Sequence, residues 1–101
     1  MERKNDLYIR DKDIGQYLNE QGFRHALSGR QYIFEAIRLC MEEPRYRLQV
    51  VNIYKIIAQR SEVTYASVER CIRHSLQAAG IRETNKEFIA RSVDFFLDRF
   101  D

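Results

Sequence analysis

The sequence predicts an all-α fold, a compact bundle of about five to six helices that contains a helix-turn-helix. Three observations carry this. The chain has 101 residues, enough for one hydrophobic core and too few for two. One proline and four glycines are far fewer turn formers than a domain of many short strands needs. Apolar residues, 45% of the chain against 32% charged, recur at helical spacing from residue 14 to residue 97, so the composition is that of a folded domain.

Residues 1–10 are polar and are expected to form a flexible N-terminal segment, with the helical domain spanning 11–101. Ile14, Tyr17 and Leu18 mark a first helix over about 11–21, stopped by Gly22, and Phe23 and Leu27 lie in the linker that follows. Ser28 is the expected N-cap of a second helix, in which Ile33, Phe34, Ala36, Ile37, Cys40 and Met41 form one stripe and Pro44 ends the run. The Val- and Ile-rich stretch from Leu48 has strand-like composition, but Leu48, Val51, Ile53, Tyr54, Ile57 and Ala58 follow a helical period. A break of four to five residues leads to a helix over about 65–79, closed by Gly80 in a left-handed cap. Thr84-Asn85-Lys86-Glu87 is a capping box, and Phe88, Ile89, Val93, Phe96, Leu97 and Phe100 give the last helix its apolar face.

Charge and cysteine use narrow the function classes. The net charge is only +2, but basic residues outnumber acidic ones between 23 and 82, and most are arginine, whose donor fork suits phosphate and guanine. Cys40 and Cys71 are isolated among apolar residues, as expected of free thiols in a reducing compartment. The charged N-terminus and the lack of a long apolar run exclude a secretory signal and a membrane span, so a cytoplasmic protein is expected.

The functional constellation lies at about 54–79, where the pattern fits a helix-turn-helix. With Ala58 as the small residue at the helix crossing, Ile57, Ser61, Val63, Val68 and Cys71 fall at inward positions, and Glu62 stands where the turn often has glycine. The second helix has two faces. Val68, Cys71, Ile72, Ser75, Leu76 and Ala79 make the apolar side, and Ala66, Glu69, Arg70, Arg73, His74 and Gln77 the polar one. Such a helix enters a major groove with Arg70 and Arg73 reaching guanine edges or phosphates, and His74 and Gln77 farther along toward the backbone. Thr64 and Tyr65 sit at the entrance, where hydroxyls and the positive helix end suit phosphate, Thr64 being equally an N-cap, and Ser67 is a further DNA-binding candidate on the same helix. Arg30, Arg45, Arg47, Lys55, Arg60 and Arg82 are further phosphate candidates, each competing with a plain surface role, just as Glu69 and Arg73 also satisfy an i,i+4 pair.

The segment Ala66-Ser67-Val68-Glu69-Arg70-Cys71-Ile72-Arg73-His74-Ser75 resembles the recognition helix of the sporulation initiation response regulator family. Gly29-Arg30-Gln31-Tyr32-Ile33-Phe34-Glu35-Ala36-Ile37 resembles the second helix of that family's C-terminal effector domain, and Thr84-Asn85-Lys86-Glu87-Phe88-Ile89-Ala90 the start of its last. The match spans roughly 13–97 in the same order. It implies an all-α DNA-binding domain of a bacterial transcription factor, with Glu69, Arg70, Arg73 and His74 on the DNA-facing helix. Ser67 replaces the family's usual arginine, and its long connection before the last helix is reduced here to about 80–83. The family's receiver domain has no counterpart in these residues, so an excised or free-standing effector domain is expected.

The expected function is therefore sequence-specific binding of double-stranded DNA as a transcriptional regulator. The expected partners are that DNA, a second copy of the chain and RNA polymerase, with no membrane, cofactor or metal. The alternative is a helical protein-protein interaction module that keeps the fold without reading DNA, with Phe95, Phe96 and Phe100 as a surface, although docking on the core is the simpler role for most of them. An enzyme is not expected: His25, His74, Cys40 and Cys71 form no catalytic motif, and Cys71 with His74 supplies only two ligands.

Overall fold

The computed structural model describes residues 11–23 and 28–100. The expectations for residues 1–10, for His25 and Leu27, and for the side chain of Phe100 lie outside the described residues. The described chain forms helices α1 (Asp11–Glu20), α2 (Ser28–Glu42), α3 (Val50–Ser61), α4 (Tyr65–Ala78) and α5 (Asn85–Phe100), with a 3₁₀ helix at Pro44–Leu48, and contains no strand. This is an all-α bundle.

Every helix contributes an apolar stripe to one core. Ile14 and Leu18 of α1, Ile33 and Ile37 of α2, Ile53 and Ile57 of α3, Val68 and Ile72 of α4, and Phe88 and Phe96 of α5 are at most 1% exposed. Each such side chain stabilises the fold by roughly 1.5–3 kcal/mol relative to an exposed one. Aromatic rings close the α1–α5 side: Phe23 meets Phe88 edge-on at 5.5 Å, and Tyr17 meets Phe96 in the same way at 5.1 Å. The Tyr17 hydroxyl lies 2.7 Å from Ser92 Oγ, which itself donates to the Phe88 carbonyl at 2.8 Å. With the Ser92 proton so used, Tyr17 is the donor.

The helix ends follow from local sequence. At Gly22 and Gly80, φ is +99° and +76°, a region that costs other L-residues energy. Ile81 N–H donates to Leu76 O and Gly80 N–H to Gln77 O, the paired bonds of a Schellman cap; Phe23 and Gly22 make the same pair on Leu18 and Asn19. The capping box is complete: Thr84 N–H donates to Glu87 Oε1 at 3.0 Å, and Glu87 N–H to Thr84 Oγ1 at 3.2 Å.

Several details differ from the sequence pattern. Pro44 does not only end α2; it opens the 3₁₀ helix, at whose end Leu48 is 77% exposed. Val51 is also exposed, so the buried stripe of α3 begins at Ile53. Ser28 is the first residue of α2, and its hydroxyl donates to Cys71 Sγ at 3.8 Å. Phe96 is buried, whereas Phe95 remains 40% exposed, stacked on Tyr17 at 4.9 Å beneath the Arg99 guanidinium.

Candidate nucleic-acid interface

Helices α3 and α4 are joined by Glu62, Val63 and Thr64. Glu62 adopts φ 59°, ψ 44°, and its N–H and that of Val63 both reach Ala58 O, so it performs the left-handed turn without being glycine. Thr64 is extended and caps α4, its Oγ1 accepting from Ser67 N–H at 3.1 Å. Of the expected inward positions, Ile57 and Val68 are buried, Ser61 and Cys71 half-buried, and Val63 exposed. The turn needs fewer apolar anchors than the pattern supplies.

Three contacts fix how α4 sits. Val68, Ile72, Ser75 and Leu76 form its buried seam. Gly29 of α2 approaches it so closely that an added Cβ would stand 2.2 Å from the Cys71 carbonyl oxygen and 2.0 Å from Ser75 Oγ. No side chain fits there. Buried Asn85, at the start of α5, donates from Nδ2 to the Glu69 carbonyl at 3.0 Å and to Tyr54 Oη at 3.1 Å, joining α3, α4 and α5 at one polar point. Burial raises the Tyr54 pKa, opposed by the Asn85 hydrogen bond.

The opposite face of α4 is open. Ala66, Arg70, His74 and Gln77 are exposed, Ser67, Glu69 and Arg73 half-buried, and Thr64 and Tyr65 exposed at the entrance. The structure therefore brings together the expected polar residues along one helix and its cap. Arg73 Nη1 lies 3.6 Å from Glu69 Oε1, a loose i,i+4 pair worth a few tenths of a kcal/mol, whereas Arg70 has no ion-pair partner among the described residues. The face thus carries one free guanidinium and one held by a weak intrahelical bond.

One phosphate candidate is corrected. Arg30 is buried and spends its guanidinium on the carbonyls of Phe23 and Gly15, at 3.4 and 3.3 Å, and desolvation lowers its pKa. Arg47 is bonded to Asp94 of α5. Arg45 pairs with Glu43 at 3.1 Å on the surface. Lys55, Arg60 and Arg82 remain exposed. Residues missed from sequence include Asn85 as a hub, for which the capping box gives no signal, and Gly29, whose place inside a helix is itself a sign of close approach.

Both cysteines are free thiols, and burial fixes the chemistry of one of them. Cys40 is fully buried and its pKa is pushed up to about 12 by desolvation, so the thiol stays protonated. Among the described residues no group of three or more His, Cys, Asp or Glu is placed to hold a metal ion, and no helix is long and apolar enough to cross a membrane.

The helical bundle thus holds one capped, amphipathic helix by its buried side and leaves its arginine-bearing face open, the kind of surface that helical DNA-binding domains present to a groove. Residues 14–95 match the family model described as Sporulation initiation factor Spo0A C terminal, and the chain belongs to that family. The family is one of DNA-binding effector domains of a response regulator, acting in transcription regulation and sporulation, and it is not an enzyme family. The general role of this chain is therefore DNA-binding regulation. No curated protein matches the chain.

Proposed function

We propose that the chain reads specific sequences in double-stranded DNA as a bacterial transcriptional regulator, with α3 and α4 acting as a helix-turn-helix and α4 lying in the major groove. The observation that carries this reading is the open face of α4, where unpaired Arg70 stands one turn from Arg73 on a helix whose other side is locked to the core. Arg70 and Arg73 contact base edges, guanine by preference, and Glu69 steadies Arg73 or accepts from cytosine. Thr64, Tyr65 and Ser67 meet phosphate at the helix entrance, and His74 and Gln77 meet the backbone farther along. A single small domain binds an operator weakly, so a second copy occupies the neighbouring half-site and RNA polymerase receives the regulatory signal. The site of action is the cytoplasm.

Fluorescence anisotropy against short duplexes at several salt concentrations tests this. Binding should weaken steeply with salt, and Arg70→Ala or Arg73→Ala should each cost about 1–3 kcal/mol on a preferred sequence. Equally poor binding of every duplex at low salt, by wild type and variants alike, would refute it.

A further inference from the structure

A cleft of about 830 Å³ opens where α4 hands over to α5, between Arg73 and Gln77 on one side and Arg82 and Lys86 on the other, with Tyr54 and Asn85 at its base. Its first wall is the open face of α4 itself, so the cleft continues the surface assigned to base reading. Its charges are not equivalent. Glu69 faces Arg73, and Glu83 is committed to Arg91 through two bonds of 2.8 Å, Nε to Oε2 and Nη2 to Oε1. That forked bond, with the Arg91 charge, holds the Glu83 carboxyl below the usual carboxylate range. Glu83 is thus neutralised within the fold, and Glu69 is matched by the adjacent charge of Arg73. Arg82 and Lys86 are exposed and have no ion-pair partner among the described residues, so the cleft's uncompensated charge is positive and lies on the connection and first turn of α5.

We infer that this cleft seats the sugar-phosphate backbone of the DNA strand flanking the bases under α4, with Arg82 and Lys86 each neutralising a phosphate. The inference rests on the DNA reading above and gives it a second anchoring point. A backbone held on the far side of the cleft fixes the depth and tilt of α4 in the groove, the task phosphate contacts perform while carrying no sequence information. The Schellman cap at Gly80 and the capping box at Thr84 hold both ends of the short connection, so Arg82 projects from a braced segment.

The test compares wild type, Arg82→Ala, Lys86→Ala and the double variant by anisotropy between 50 and 200 mM salt, on a duplex selected by the wild type and on a scrambled duplex. Arg38→Ala, which removes one positive charge on α2 outside the cleft, where Arg38 pairs with Asp11 and Glu42, serves as the control. Each cleft substitution should lower the slope of log K against log salt by about 0.9, so that the fourfold rise in salt costs that variant roughly 3- to 4-fold less affinity than it costs wild type. Affinity at low salt should fall on both duplexes alike, leaving their ratio unchanged, and Arg38→Ala should leave the slope as it is. Slopes for the cleft variants that match wild type, with wild-type selectivity intact, would overturn the cleft while leaving the DNA reading standing. A wild type that prefers no duplex and shows no salt dependence would remove both.

Discussion

Replacing Gly29 with alanine sets two physical effects of opposite sign against each other. Within a helix the change ordinarily stabilises by a few tenths to about 1 kcal/mol, because alanine has less conformational entropy to lose. Here the new Cβ would lie 2.2 Å from the Cys71 carbonyl oxygen and 2.0 Å from Ser75 Oγ, where ordinary contact begins at 3.4 Å. The Ser75 hydroxyl can rotate away, but the carbonyl belongs to the backbone of α4. Relief therefore requires α4 to retreat from α2 by roughly 1 Å, loosening the seam at Val68, Ile72 and Leu76. Overpacking of this kind costs about 1–3 kcal/mol and sometimes more, and a rigid carbonyl places this case at the upper end. The expected net loss is about 2 kcal/mol, or roughly 10 °C in Tm for a domain of this size. Circular dichroism during heating and urea titration measures both. A Gly29→Ala variant as stable as wild type, or more so, would refute the close approach. Adding Ser75→Ala should restore only part of the loss, because the Cys71 carbonyl remains.

Three further outcomes follow from the same geometry. Asn85→Ala leaves the Glu69 carbonyl and the Tyr54 hydroxyl without their shared donor, and should cost about 1–3 kcal/mol in urea unfolding; no change would show that water replaces the amide without penalty. Glu62→Gly should raise stability by up to about 1 kcal/mol, since φ 59° strains glutamate and not glycine, and a fall in Tm would contradict that assignment of strain. Burial raises the Tyr17 and Tyr54 pKa values above 10.0 and pushes Cys40 from 9.0 to about 12. All three groups favour the neutral form when folded, so their contribution is fully present below the unfolded values and is lost as pH rises through the folded ones. The urea midpoint should therefore fall progressively from about pH 9 toward pH 12, and a flat profile over that window would exclude the mechanism.

Most of the architecture is legible in the sequence because it depends on local chemistry. Gly22, Gly80 and the Thr84–Glu87 box each satisfy their own helix end, and the core stripes of α2, α4 and α5 follow the helical period. What the pattern does not reveal depends on distant partners. Leu48 and Val51 match the period of α3, but Leu48 falls in the 3₁₀ helix begun at Pro44 and Val51 in the first turn of α3, and both are exposed. Arg30 looks like a surface cation until the carbonyls of Gly15 and Phe23 close on it, and the pairing of Arg47 with Asp94 of α5 is equally invisible in the local pattern. The polar face of α4 follows from helical geometry alone, since residues on one side of a helix are fixed by their spacing. Its bracing by Gly29 and Asn85 requires the tertiary fold.

Selection from a pool of random duplexes, carried out in parallel with wild type and Arg70→Ala, addresses the central claim most directly. Groove reading by α4 predicts that wild type enriches one sequence word, and that the variant loses the preference at a single position where wild type demands guanine. Failure of the wild type to enrich any word, or an identical word from both proteins, would contradict it.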